Sequence, residues 1–198
     1  MKSATDKQID DLEYQLQELK RKIAQRRRER EPEEVSDYSL KDWDEKEIRL
    51  ASLFGHHERL ILIHNMGSSC AYCTMWADGF NGLLPHLNSR AAFAVTSPDP
   101  PLVQKRFAQS RQWKFPMYSV EGTSLVADLG FTDEKDGPMP GVSVLTKEAD
   151  GKIFRVGRAE FGPGDDYCPV WHFFELFPEG VNGWEPQFSY ELISLSRA

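Results

Sequence analysis

The order of apolar runs and helix-forming stretches in this 198-residue chain predicts an α/β protein: a mixed central sheet with helices on both faces, preceded by a helical extension. Two short, almost wholly apolar runs, residues 59–65 (RLILIHN) and 91–96 (AAFAVT), have the pattern of strands covered on both sides, as in a parallel sheet. A helix-compatible stretch lies between them, which is the crossover that parallel neighbours need. Further on, residues 142–145 and 153–156 flank Glu148-Ala149-Asp150-Gly151, an antiparallel hairpin with Asp-Gly in its turn.

Taken in order, Ile9, Leu12, Leu16, Leu19 and Ile23 form an a/d seam on one helix over about residues 5–30, which Glu31-Pro32 stops. Residues 1–31 therefore form a separate amphipathic helix and residues 35–198 the α/β domain. The seam suits packing on the body or, equally, a homodimer through the same helix of a second subunit. Residues 38–40 suit a short strand, and 48–54 a helix with Gly55 as its stop. After the strand over 59–65 and the loop Met66-Gly67-Ser68-Ser69, a helix starts near Cys70, runs through Trp76 and Phe80, and weakens at Gly79, Gly82 and Pro85. Pro98, Pro100 and Pro101 end the second buried strand, and a helix follows from Leu102 to near Trp113. Residues 117–120 suit a strand and 124–129 one or two helical turns. Beyond the hairpin, Pro169 opens a helix through Phe177, and an irregular, aromatic-rich tail ends the chain.

Composition narrows the function classes. With 40% hydrophobic and 28% charged residues, the chain is neither disordered nor a disulfide-stapled miniprotein, since it has only three cysteines. Its longest aliphatic run, residues 60–63, is too short to cross a bilayer, and its N-terminus lacks the apolar stretch of a secretory signal. The expected compartment is the cytoplasm, where thiols stay reduced. The net charge of −7 divides unevenly: residues 1–31 carry nine basic against seven acidic side chains, so the body is strongly acidic. Nucleic acid is therefore an unsuitable partner, and the basic cluster Lys20–Lys22 with Arg26–Arg28 reads as a solvated helix face.

The chemistry is concentrated in Cys70-Ala71-Tyr72-Cys73. A cysteine that opens a helix meets unpaired backbone N–H groups and the positive end of the helix, both of which stabilise a thiolate. The second cysteine, three positions on, is close enough to form a disulfide with the first. Cys70 is then the exposed nucleophile toward a substrate disulfide, and Cys73 resolves the mixed disulfide by attacking Cys70.

The segment Cys70-Ala71-Tyr72-Cys73-Thr74-Met75-Trp76-Ala77-Asp78-Gly79-Phe80-Asn81-Gly82-Leu83-Leu84-Pro85-His86-Leu87 resembles the thioredoxin-fold superfamily and, more narrowly, the thioredoxin-like bacterial family DUF899. The N-terminal charged helix and residues 50–55 (LASLFG) extend the resemblance over most of the chain. It implies a thioredoxin-like fold and suggests roles for further positions. Pro140 stands where such folds carry a cis-proline facing the disulfide, which would leave the backbone of Met139 free to pair with an extended substrate, alongside Tyr72. His64, six residues before Cys70, stands where thioredoxins have a buried acid that assists proton transfer at the resolving thiol. Ser69 replaces the usual tryptophan. Peroxiredoxins share the fold but have proline and threonine or serine where this chain has Ile63 and Gly67, so a thiol peroxidase is disfavoured.

The expected function is thus a thiol–disulfide oxidoreductase without a cofactor. Its partners would be a disulfide-containing protein or small thiol and a reducing partner, with no membrane or nucleic acid involved. The competing reading is a non-enzymatic binding module, redox-inert or stabilised by zinc through Cys70, Cys73, Cys168 and His172. The Gly162-Pro163-Gly164-Asp165-Asp166 stretch lacks the lysine of a phosphate loop.

Overall fold

A computed structural model describes residues 2–135 and 137–191. Ser3 caps the first helix, α1 (Ala4–Arg28), through a reciprocal capping box with Asp6, and Arg26, Arg27 and Arg28 occupy its last turn, where the helix end is negative. The chain then enters an eight-stranded sheet. Its strands are β1 (Glu33–Val35), β2 (Ser39–Lys41), β3 (Glu47–Arg49), β4 (Arg59–His64), β5 (Ala92–Ser97), β6 (Met117–Ser119), β7 (Gly141–Lys147) and β8 (Ile153–Glu160). Their spatial order is β1-β8-β7-β4-β5-β6-β2-β3.

The parallel core of the sheet is β4, β5 and β6, in which Leu60 pairs with Ala92 and Val95 with Met117. Helix α2 (Ala71–Asn88) connects β4 to β5, and α3 (Pro101–Ser110) connects β5 to β6. On the other side of β4, β7 runs antiparallel and begins the hairpin with β8. Two further short helices are α4 (Leu125–Asp128) and α5 (Pro169–Phe174).

Strand alternation divides the interior into two cores. From β4 and β5, Ile63, Phe93 and Val95 meet Trp76, Ala77 and Phe80 of α2 and Ala108 of α3 on one face. Leu60, Leu62, Ala92 and Ala94 meet Leu50, Phe54, Leu125 and Phe131 on the other. Because β4 and β5 are buried on both faces, their sequences are nearly continuous apolar runs.

Three expectations change in the structure. Residues 48–54 do not form one helix: Glu47–Arg49 pairs with β2, and only Leu50–Phe54 turns, as a 3-10 segment. Asp37 sets this junction, binding Arg49 Nε at 3.0 Å and accepting the Ala51 N–H at 2.8 Å. Helix α2 continues through Gly79, Gly82 and Pro85 to Asn88, since those three residues face solvent while Trp76, Ala77 and Phe80 hold the buried side. Helix α5 ends at Phe174, short of Phe177.

Gly141, at the start of β7, is a close-packing position. A Cβ there would lie 2.2 Å from Phe131 Cε1 and 2.5 Å from the Ala159 carbonyl oxygen. Gly141→Ala is expected to destabilise the fold by about 1–3 kcal/mol. The check is a lower urea midpoint with an unchanged slope.

Candidate redox site

The site is built at the C-terminal end of β4, where open α/β sheets place their chemistry. Between β4 and α2 the chain makes a braced loop. Asn65 Oδ1 accepts the Gly67 N–H at 2.8 Å, and Asp99, beyond β5, accepts the Ser68 N–H at 2.7 Å. Gly67 has φ 107, and a Cβ there would lie 2.9 Å from Asp99 Oδ1, so glycine is needed both for the turn and for this close approach. The loop delivers Cys70 to the N-cap of α2 in an extended conformation.

At that cap the Cys70 Sγ accepts the Cys73 backbone N–H at 3.1 Å. A thiol here does what a serine or aspartate side chain does at ordinary helix starts. Cys70 is half-buried and Cys73 is buried one turn further in. The pair titrates asymmetrically. Cys70 is lowered from an ordinary 9.0 to about 7, first by the hydrogen bond from the Cys73 thiol and then by the backbone N–H groups of Cys73 and Tyr72, against the opposing effect of burial. Cys73 is pushed up, because its proton bonds to Cys70, because it is buried and because of the Cys70 charge. The Met66 N–H also points at Cys73 Sγ, at 3.4 Å. In the reduced protein Cys70 is therefore the thiol that ionises first, and Cys73 keeps its proton.

The sequence-predicted neighbours are placed unequally. Tyr72 lies beside the pair and stacks on Trp171 of α5, with ring centroids 6.1 Å apart. Pro140 is buried and, with Cys73, Trp76, Phe80 and Phe161, borders a narrow gap behind the thiols. The expectation of a cis bond at Pro140 is corrected, since there is no cis peptide bond among the described residues. The backbone around it is already committed: the Met139 N–H donates to the Phe131 carbonyl at 2.7 Å, and the Pro140 carbonyl accepts the Phe161 N–H at 3.0 Å. Met139 thus offers no free N–H to a substrate strand.

His64 borders the same gap, but its ring is on the other face of the sheet. It stacks on Phe131 at 4.0 Å, and its Nε2 pairs with the Ser143 hydroxyl at 2.9 Å. Burial, reinforced by Arg155 and Arg158, pushes its pKa down to about 3, so it is neutral at physiological pH. Alternation along β4 explains this placement: Leu60, Leu62 and His64 share one face, while Ile61, Ile63 and Asn65 share the face of the thiols. The polar side chain next to Cys73 is accordingly Asn65, whose Nδ2 donates to the Cys73 carbonyl at 3.4 Å.

Cys168, His172 and the thiol pair do not assemble as the zinc alternative requires. Among the described residues no three His, Cys, Asp or Glu side chains converge as metal ligands. Cys168 is buried at the start of α5 and its thiol is raised by burial and by Asp165, while His172 turns outward toward Asp166 at 3.7 Å. Asp165 instead organises this region. It accepts N–H groups from Gly162, Tyr167 and Cys168 and, at 3.4 Å, the Trp76 indole N–H, which ties the post-β8 loop to α2. Neither Asn65 nor Asp165 stood out in the sequence. The only hints were an amide ending an apolar strand and an aspartate in a Gly-Pro-Gly turn.

The profile of the family described as "Bacterial protein of unknown function (DUF899)" matches residues 3–191. The chain belongs to the DUF899 family. No protein of curated function matches it. Among solved structures, it is similar to peroxidoxin BcpB from Mycobacterium tuberculosis, with 24% identity, a TM-score of 0.51, and 62% of this chain and 80% of that one covered. It is also similar to the bacterioferritin comigratory protein of Xanthomonas campestris, with 20% identity, a TM-score of 0.52 and coverage of 63% and 80%. A third is Prx3 of Vibrio vulnificus, with 13% identity, a TM-score of 0.55 and coverage of 67% and 88%. At these identities the likeness is one of fold, and it makes this DUF899 protein a thioredoxin-fold protein with an added N-terminal helix.

Two outcomes follow from the titration pattern. Alkylation of Cys70 in the reduced protein should reach half its maximal rate near pH 7, and Cys73→Ala should move that midpoint upward by removing the thiol that donates to Cys70. Iodoacetamide kinetics followed by mass spectrometry check both. His64, with a native value near 3, leaves the unfolded chain holding more protons between that pH and 6.5. Stability should therefore fall on acidification through this window, with a slope from this residue of up to about 1.4 kcal/mol per pH unit. His64→Phe should flatten that part of the curve in urea titrations run at several pH values.

Proposed function

We propose that this protein is a thiol–disulfide oxidoreductase in which Cys70 is the nucleophile and Cys73 the resolving thiol. The observation that carries the reading is the placement of the pair: Cys70 lies half-exposed at the N-cap of α2 with its Sγ accepting the Cys73 N–H at 3.1 Å, and Cys73 lies buried one turn further in, an arrangement that lowers Cys70 to about 7. Near pH 7 such a nucleophile is substantially ionised without losing much nucleophilicity, which suits thiol–disulfide exchange.

The Cys70 thiolate attacks one sulfur of a substrate disulfide. A Cys70–substrate disulfide forms, and the other substrate sulfur leaves as a thiolate and takes up a proton. The charge and the hydrogen bond that kept the proton on Cys73 are then gone, so the Cys73 thiol becomes easier to ionise at the moment its attack is needed. Cys73 loses its proton to the leaving sulfur or to water and attacks Cys70 Sγ. The substrate's second sulfur departs as a thiol, leaving a Cys70–Cys73 disulfide. Two electrons have passed from protein to substrate, and a dithiol partner returns them. Disulfides of proteins or of small thiols are the substrate class. A cytoplasmic setting fits a dithiol that must be kept reduced, and among the described residues no helix is long and apolar enough to cross a membrane. Tyr72, backed by the buried Trp171, would form the surface over which a substrate approaches Cys70. His64 acts in this scheme as a neutral core residue that holds Ser143, and proton movement goes through the thiols and water.

Reduction of a chromogenic aromatic disulfide by the pre-reduced protein tests the scheme. Cys70→Ser should abolish turnover, whereas Cys73→Ser should still attack once and accumulate a mixed disulfide visible in the intact mass. Full turnover by Cys70→Ser would sink the mechanism.

A further inference from the structure

Helix α1 spans 25 residues, and none of them is buried. Its five seam residues, Ile9, Leu12, Leu16, Leu19 and Ile23, are 48–64% exposed. An aliphatic stripe repeated over two heptads and left facing water is the pattern of a helix that lacks its packing partner. The helix is tethered by its C-terminal half, where Lys20 binds Asp166 at 2.7 Å and Arg27 lies by the same carboxylate. Residues 4–15 are exposed throughout and extend the seam beyond that anchor.

We propose that α1 pairs antiparallel with α1 of a second copy of this chain. The charges flanking the seam identify the partner and the direction. With Ile9, Leu16 and Ile23 at a positions and Leu12 and Leu19 at d, the e positions hold Asp6, Glu13, Lys20 and Arg27, and the g positions hold Gln8, Gln15, Lys22 and Glu29. The e series is acidic in the first half of the helix and basic in the second. In an antiparallel pair, e positions face e positions with the order reversed. Stacking Leu12 on Ile23 and Leu16 on Leu19 across the two-fold axis sets Glu13 beside the other copy's Lys20 and Asp6 beside its Arg27, each contact occurring twice. The g series then opposes Gln15 to Lys22 and Gln8 to Glu29, with no like charges meeting.

A parallel pair brings g against e five residues on. That places Lys22 against Arg27 on both sides and forms no opposite-charge contact. The two helix dipoles also oppose favourably only in the antiparallel arrangement. Arg27 and Glu13 have no hydrogen-bond partner among the described residues, and the Lys20–Asp166 pair is solvent-exposed enough for Lys20 to be shared with a second acid. The self-complementary pattern therefore favours a second copy of this chain as the occupant over a partner of unrelated sequence.

Light scattering coupled to size exclusion, on the full reduced chain, tests this. The wild type should run at twice the 22.7 kDa chain mass, and Leu16→Glu at the single mass with an unchanged thermal midpoint and Cys70 alkylation profile. Glu13→Lys should weaken dimerisation roughly tenfold or more by placing like charges face to face twice, and Glu13→Lys with Lys20→Glu should restore it. A monomeric wild type, or a dimer indifferent to Leu16→Glu, overturns self-pairing through α1. A dimer that responds to Leu16→Glu but not to the charge exchange overturns the antiparallel direction.

Discussion

The central strand β4 is the constraint from which the rest of the structure follows. It pairs with β5 on one side and β7 on the other and is covered on both faces, so its side chains are divided strictly by the two-residue repeat. Ile63 and Asn65 go to the α2 side and His64 to the Phe131 side. Its C-terminal end sets where the chain must leave the sheet, and the Asn65–Gly67 and Ser68–Asp99 bonds turn it into α2 with Cys70 at the cap. A one-residue shift along β4 would exchange the two faces and move the imidazole under the thiols.

From that placement the unequal titration of the cysteine pair follows as local electrostatics. The backbone N–H groups of Cys73 and Tyr72 and the neighbouring Cys73 thiol all lower Cys70, while Cys73 is the more deeply buried of the two. The result is a lowered Cys70 thiol beside a raised Cys73 thiol. Around this centre the chain after β8 makes a second brace. Asp165 gathers three backbone donors and reaches the Trp76 indole, and Trp171 of α5 lies against Tyr72. The Tyr72 ring beside Cys70 is therefore supported from behind by the buried Trp171 of the C-terminal segment. The α1 helix lies outside this machinery, with a surface that the domain itself leaves uncovered.

Much of this could be read directly from the residues. The apolar runs at 59–65 and 91–96, the Asp-Gly hairpin and the Cys-x-x-Cys at a helix start are local patterns, and local patterns survive in a sequence because periodicity and turn chemistry act over a few residues. The order of these elements was enough to imply the sheet and the end of it that carries the thiols. What the sequence determined by itself was the class of fold, the position of the cysteine pair and the seam on the first helix.

Tertiary structure decided the rest, because the missing facts depend on residues distant in sequence. Whether His64 or Asn65 faces Cys73 depends on which side of β4 receives α2, and no local pattern states that. The turn at Leu50 depends on Asp37, and the trans bond at Pro140 goes with Phe131 and Phe161 having already engaged the backbone on either side of it. The fate of Cys168 depends on where the loop bearing Asp165 meets α2. In each case the deciding term is a hydrogen bond or packing contact between separate segments, which only the closed fold brings together.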